Sequence, residues 1–223
     1  MYQQPRPRTI GNPTPLGLYS FACTTLLISL FNVQVRGITN GNLIIGMGLA
    51  CGGLSQLLAG MWSFVRSDSL GGTAFSMYGA FWISYGLMHI PGLNIVTSYT
   101  GDSADQLHNA EGLFLAMWFV VTFFTAGGAL RQPVMLFATL FFLDITFMML
   151  MIGAFMNSAG AVKAGGYVGI VTCICAFYEG TAVLYTEDVT PIRLPNPMMP
   201  QFGRRQRKTD TEASPEDMQA VVE

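Results

Sequence analysis

Apolar residues in this chain come in long blocks rather than at alternate positions. Leu16–Val35, Leu43–Val65, Leu70–Ile90, Gly112–Leu130, Val134–Phe155 and Ala164–Tyr185 are nearly free of charge, and each is about 20 residues long, the length of a membrane-spanning helix. At a rise of about 1.5 Å per residue, such a helix crosses a hydrocarbon core of about 30 Å. A transmembrane barrel needs shorter segments of alternating polarity, and these do not alternate. The pattern predicts an all-α polytopic membrane protein with six transmembrane helices.

Composition agrees. Hydrophobic residues make up 51% of the 223 positions and charged residues 11%, against about 25% charged in typical soluble domains. Six spans put both ends of the chain on one side. That side collects Arg6, Arg8, Arg66, Arg131, Arg193 and the cluster Arg204, Arg205, Arg207 and Lys208, whereas the other holds Arg36 and Lys163 with Asp102 and Asp105. Basic residues mark the cytoplasmic face, so both termini are expected in the cytoplasm. Met1–Thr9 is polar and does not read as a cleaved leader. The organisation predicted is a cytoplasmic segment over residues 1–11, a transmembrane domain over 12–190, and a disordered cytoplasmic tail over 191–223.

Little in the chain points to catalysis. The sequence lacks GxSxG, HExxH and a phosphate loop. Cys23, Cys51, Cys173 and Cys175 fall inside spans, without disulfide or zinc spacing. His89 and His108 read as interfacial histidines, and Glu111 as an acid at the outer mouth of the fourth span. No metal, cofactor or nucleic acid is expected.

Polar residues inside the spans carry more information. Phe21, Thr25, Ser29 and Asn32 share one face of the first helix; Gly53, Gln56, Gly60 and Ser63 share one on the second; Tyr78, Trp82, Tyr85 and His89 line up on the third. These stripes are either interhelical hydrogen bonds or, the preferred reading, a polar path through the bundle. Small residues, among them Gly48, Gly52, Gly165 and Gly169, allow close approach of helices and point to a compact bundle and an oligomer. Two acids lie within spans, Asp144 near the midplane and Glu179 about two turns from the cytoplasmic end. An acid at the bilayer centre costs about 2.5–3.5 kcal/mol on insertion scales, so it requires a partner, water or a proton. Both are therefore candidate protonatable sites. At the N-terminal boundary, Asn12 is placed to cap the first helix, with Pro13 and Pro15 in its first turn. The free N–H groups there suit either an anchor or an anion vestibule.

Asn12-Pro13-Thr14-Pro15-Leu16-Gly17-Leu18, followed by Phe21, resembles the motif of the acetate uptake transporter family, which includes fungal acetate permeases and bacterial succinate–acetate permeases. The resemblance continues through Gly52-Gly53-Leu54-Ser55-Gln56-Leu57-Leu58-Ala59-Gly60-Met61-Trp62 and Thr73-Ala74-Phe75-Ser76-Met77-Tyr78-Gly79-Ala80-Phe81-Trp82. It implies a six-helix protomer with its own pore, assembled as a homohexamer in the cell membrane. It implies proton-linked passage of acetate and related short carboxylates, succinate among them. It also implies a hydrophobic constriction at Phe21, Tyr78 and Leu143. Asn12, Thr25, Ser29, Asn32, Gln56, Trp82 and Tyr85 are the candidate pathway residues, with Asp144 and Glu179 the proton-linked candidates. Thr14, Asp144 and Glu179 depart from the usual family residues. Two alternatives stand beside this reading: a sensor or regulator of acetic acid without flux, and a pore for ammonium or another neutral small solute.

Overall fold

The computed structural model describes residues 10–200. Residues 1–9, with Arg6 and Arg8, and residues 201–223, with the basic cluster from Arg204 to Lys208, lie outside the described residues, as does the side chain of Asp102. The described chain is helical, with one isolated antiparallel bridge between Pro133 and Met198.

Six long helical rods follow one another: α1 (Thr14–Asn32), α2 (Ile44–Val65), α3 (Ser69–Met88), α4 (Gln106–Gly128), α5 (Val134–Phe155) and α6 (Ala159–Leu184). They alternate in direction. The start of α1, the α2–α3 and α4–α5 corners and the end of α6 therefore gather at one end of the bundle, here the near end. The guanidinium of Arg66 donates to the Ile10 carbonyl there. Short 3₁₀ turns at Val35–Gly37, Pro91–Leu93, Val96–Ser98 and Gly101–Ser103 lie in the loops of the far end.

Five of the six rods are long and apolar enough to cross a membrane. α3 is the exception. Its 20 residues include four glycines, three serines, two tyrosines and a tryptophan, which lower its hydropathy while its buried face, including Phe75, Tyr78, Phe81 and Trp82, packs into the core. Helix boundaries also differ from the apolar blocks. α4 begins at Gln106 and α6 at Ala159, because the helical hydrogen bonds continue past the apolar stretch into polar mouth residues. Ser158 caps α6 by accepting from the Ala161 N–H at 3.4 Å. Asp68 caps α3 by accepting from the Gly71 N–H at 2.9 Å.

Several glycines pack against neighbouring helices of the same protomer. A Cβ on Gly52 would stand 2.7 Å from the Trp82 ring and 2.8 Å from Thr24 Cγ2, and one on Gly79 would stand 2.8 Å from the Leu57 nitrogen. Gly165 meets Leu150 of α5, and Gly166 meets the Ser29 carbonyl of α1 at 2.9 Å in the same sense. These close approaches join α2 to α3 and α6 to both α5 and α1.

Within α2, residues Gly48–Ser55 form a π-helix between two α-helical stretches. Ser55 Oγ donates to the Ala50 carbonyl five residues back, at 3.2 Å, in step with that wider turn. Such insertions are rare and frequent at functional sites. This one ends where Gln56 begins.

The chain after α6 does not run free from residue 191. The Tyr178 hydroxyl donates to the Pro195 carbonyl at 2.8 Å, and backbone bonds pair Val134 with Pro197 and Met199 with Gln132. Backbone groups within residues 191–200 thus find partners on the α4–α5 corner.

Candidate functional site

Two cavities meet in the bundle interior. The larger, about 640 Å³, opens among the far-end loops and reaches inward past Tyr85, Trp82, Ser29 and Thr25. The smaller, about 50 Å³, is lined at the near end by Thr14, Asp68 and Gln132, and further in by Gln56. Phe21, Tyr78 and Leu143 line both cavities. They are 5%, 3% and 3% exposed, so together they form the partition. The Phe21 and Tyr78 rings lie 6.0 Å apart, centre to centre, tilted by 46°. Residues from α1, α3 and α5 thus border both cavities.

The buried polar residues fall into two sets. Thr24, Ser63, Thr139, Thr146 and Thr172 each donate to the carbonyl four residues earlier, at 2.8–3.0 Å. Their polarity is spent mainly within their own helix, with Thr146 and Thr172 also meeting between α5 and α6 at 3.5 Å. Thr25 Oγ1, Trp82 Nε1 and both polar atoms of Gln56 are buried with no partner in the protein. Thr25 and Trp82 border the larger cavity and Gln56 the smaller. A buried polar group without a partner costs about 1–3 kcal/mol. Here the unpartnered groups stand on both sides of the partition, where a polar solute would satisfy them.

The other sequence candidates divide. Ser29, Asn32 and Tyr85 line the larger cavity. So do Glu111, Lys163, His89 and His108 near its mouth, and His89 Nδ1 is hydrogen-bonded to the Tyr85 carbonyl at 2.8 Å. Among the described residues no cluster of His, Cys, Asp and Glu fits a metal ion. Asn12 lines neither cavity; its Oδ1 accepts from the Thr14 N–H at 3.1 Å, while Pro13 holds the N-cap position. Asp144 and Glu179 also line neither cavity. Asp144 adjoins the partition from behind, one residue from Leu143, with a buried and unpartnered Oδ1. The Tyr78 hydroxyl donates to Thr122 Oγ1 at 3.2 Å, which ties the partition to α4. Glu179 is held by Asn196 instead. Phe81 and Phe147, stacked edge to face at 5.3 Å in the wall of the larger cavity, escaped the sequence reading. Ordinary core phenylalanines have the same spacing, so no local signal marked them.

The fold and site define a multi-pass helical membrane protein whose interior carries a partitioned, polar-spotted passage. The chain belongs to the GPR1/FUN34/yaaH family, whose profile matches residues 1–201. It is 40% identical over 80% of its length to Accumulation of dyads protein 2 of Saccharomyces cerevisiae and spans 62% of that protein. It is 37% identical over 83% of its length to Ammonia transport outward protein 2 of the same yeast, of which it spans 67%. It is 36% identical to Acetate permease A of Emericella nidulans, over 95% of this chain and 75% of that one. Its fold matches the solved structure of the bacterial acetate channel SatP with a TM-score of 0.74 and 29% identity, covering 85% of this chain and all of that chain.

Proposed function

We propose that this protein conducts acetate and related short-chain carboxylates across the cell membrane through the passage inside each protomer. Six spans, α3 included, put both termini in the cytoplasm, with residues 12–190 as the membrane domain and six copies forming the assembly. The protein works as a transporter or channel and not as an enzyme. The observation that carries this reading is the partition. A ring of Phe21, Tyr78 and Leu143 separates two cavities, and unpartnered polar groups flank it on both sides. An apolar constriction excludes water and bulk ions, while hydrogen-bond donors beside it take over part of a carboxylate's hydration. Among the described residues no Arg or Lys stands at the partition to trap an anion, which favours passage over retention. The likeness to an acetate permease and an acetate channel supports the same solute.

Asp144 is the proton-linked residue in this reading. It stands behind the constriction and acts through the Tyr78–Leu143 wall rather than by touching the solute.

A second reading, ammonia or ammonium, draws on the likeness to an ammonia transport outward protein. The indole N–H of Trp82 can only donate; ammonium offers no acceptor to it, whereas a carboxylate and neutral ammonia do. At Trp82 the site therefore favours a carboxylate over ammonium. Purified protein in liposomes, assayed for labelled acetate uptake and separately for ammonium-driven changes in internal pH, separates the two. Uptake no greater than in empty vesicles would overturn the carboxylate reading and leave a sensor without flux.

A further inference from the structure

Glu179, buried, and Asn196, half-buried, form an acid–amide pair away from both cavities. Glu179, on α6, is 1% exposed. Asn196 belongs to the chain that leaves α6 and turns back across the near end. That strap is pinned in four places: Asn196 Nδ2 donates to Glu179 Oε1 at 3.1 Å, the Tyr178 hydroxyl donates to the Pro195 carbonyl at 2.8 Å, the Val134 N–H donates to the Pro197 carbonyl at 2.9 Å, and the Met199 N–H donates to the Gln132 carbonyl at 3.0 Å. Gln132 lines the smaller cavity. The strap is thus fastened to the wall of the passage at its near end.

Two atoms of the pair are left over. Glu179 Oε2 and Asn196 Oδ1 are both buried and both without a partner. With the acid ionised, both are acceptors and repel. A proton on Oε2 turns it into a donor, and a carboxylic acid and an amide then complement each other through two hydrogen bonds. A buried carboxylate without a cation partner is costly, so the ionised form gains by pulling the contact open to water. Titratable and charged groups on the elements around Glu179 are Tyr19 and Cys23 on α1, Asp144 on α5, Arg131 at the α4–α5 corner, and Glu187, Asp188 and Arg193 after α6. Among the described residues none of them bonds to Glu179; Tyr19 is hydrogen-bonded to Thr181, and Arg193 is paired with Glu187.

We propose that Glu179 and Asn196 are a proton-operated latch, which holds the strap over residues 195–199 against the start of α5 while Glu179 is protonated and frees it when Glu179 ionises. The proton is exchanged with water at the near end. The strap therefore responds to acidity on that side, whatever solute the passage carries. Gln132 and α5, which bears Leu143, are the parts of the passage that its release loosens.

Hydrogen exchange of the strap in the full chain, reconstituted in lipid and corrected for the intrinsic pH dependence of exchange, tests this. In wild type the two amides that fasten the strap, the Met199 N–H on Gln132 and the Val134 N–H on Pro197, are protected in mildly acidic buffer and exchange about five to ten times faster in mildly alkaline buffer, as loss of one hydrogen bond of ordinary net strength gives. Glu179→Gln copies the protonated acid, since its amide both donates to and accepts from Asn196, and keeps the strap protected at either pH. Asn196→Ala leaves it fast at both. Asn196 lies outside the six rods, so this variant keeps the test decisive should Glu179→Gln not fold. A Glu179→Gln strap that follows the wild-type pH dependence, or an Asn196→Ala strap with full acid-side protection, overturns the latch.

Discussion

Gln56 shows at the residue scale how burial and function pull apart. It is fully buried, and neither its Oε1 nor its Nε2 has a partner in the protein. Gln56→Leu removes two unsatisfied groups at nearly constant volume, so the folded protein loses nothing and gains up to about 1–3 kcal/mol. The same change strips the smaller cavity of its central polar group. We expect an unchanged or higher melting temperature together with acetate uptake lowered about tenfold or more; uptake equal to wild type would remove Gln56 from the path. Phe21→Ala opens the partition. The expected outcome is faster passage of longer monocarboxylates relative to acetate, read as competing uptake of labelled acids. Asp144 calls for a pH profile rather than a rate. Uptake of a weak acid falls as external pH rises, because less of the solute is protonated. Asp144→Asn keeps the shape and a donor but cannot release a proton. It should still pass acetate while losing part of that pH dependence. Superimposable profiles would make Asp144 a packing residue.

At the scale of elements, the helices meet where side chains are missing. A Cβ on Gly79 would stand 2.8 Å from the Leu57 nitrogen and 3.0 Å from the Gly53 carbonyl. Both are backbone atoms of α2, which cannot rotate away as a side chain can. Gly79→Ala should therefore destabilise by about 1–3 kcal/mol, as overpacking does. Gly127, in the last turn of α4, has no atom within 4 Å of such a Cβ. Gly127→Ala should be neutral or stabilising by up to about 1 kcal/mol, through helix propensity alone. Thermal unfolding of the two variants in one detergent compares them directly. The π-helical stretch of α2 belongs to the same scale. It carries Gly48, Gly52 and Gly53 past Trp82 and Ile83 of α3, and hands the helix on to Gln56 at a rotation that a regular α-helix would not give.

For the whole molecule, the apolar surface is the main fact. Leu58, Met61, Trp62, Phe123 and Phe124 are between 47% and 71% exposed in the single protomer, and lipid or further copies of the chain cover such faces. The assembly proposed above predicts that mild cross-linking in native membranes traps a ladder ending at six copies of the 24.2 kDa chain; a ladder that stops at one or two would contradict it. α3 packs against α2 within the protomer despite its lower hydropathy, and its Tyr78, Trp82 and Tyr85 line the larger cavity.

Some of this was legible along the chain. Apolar blocks of spanning length record the solvent each segment meets, so the all-helical membrane fold could be read before any contact was known. Phe21, Tyr78, Thr25, Trp82 and Gln56 could be placed by motif and by face, because helical periodicity is local. Leu143 followed by looser alignment, and it lines the same two cavities as Phe21 and Tyr78. The rest depended on tertiary packing. Thr25 and Thr24 are neighbours of the same type, yet Thr24 bonds back to Ser20 while Thr25 is left unpartnered beside the larger cavity. Only the rotation of α1 against its neighbours separates them. The glycines that pointed to a compact bundle face α3, α5 and α1; a small residue records that something comes close but not what. Glu179 looked like a proton carrier because it is an acid in an apolar helix. Its partner, Asn196, lies 17 residues away, and only the fold-back of the chain brings the two together.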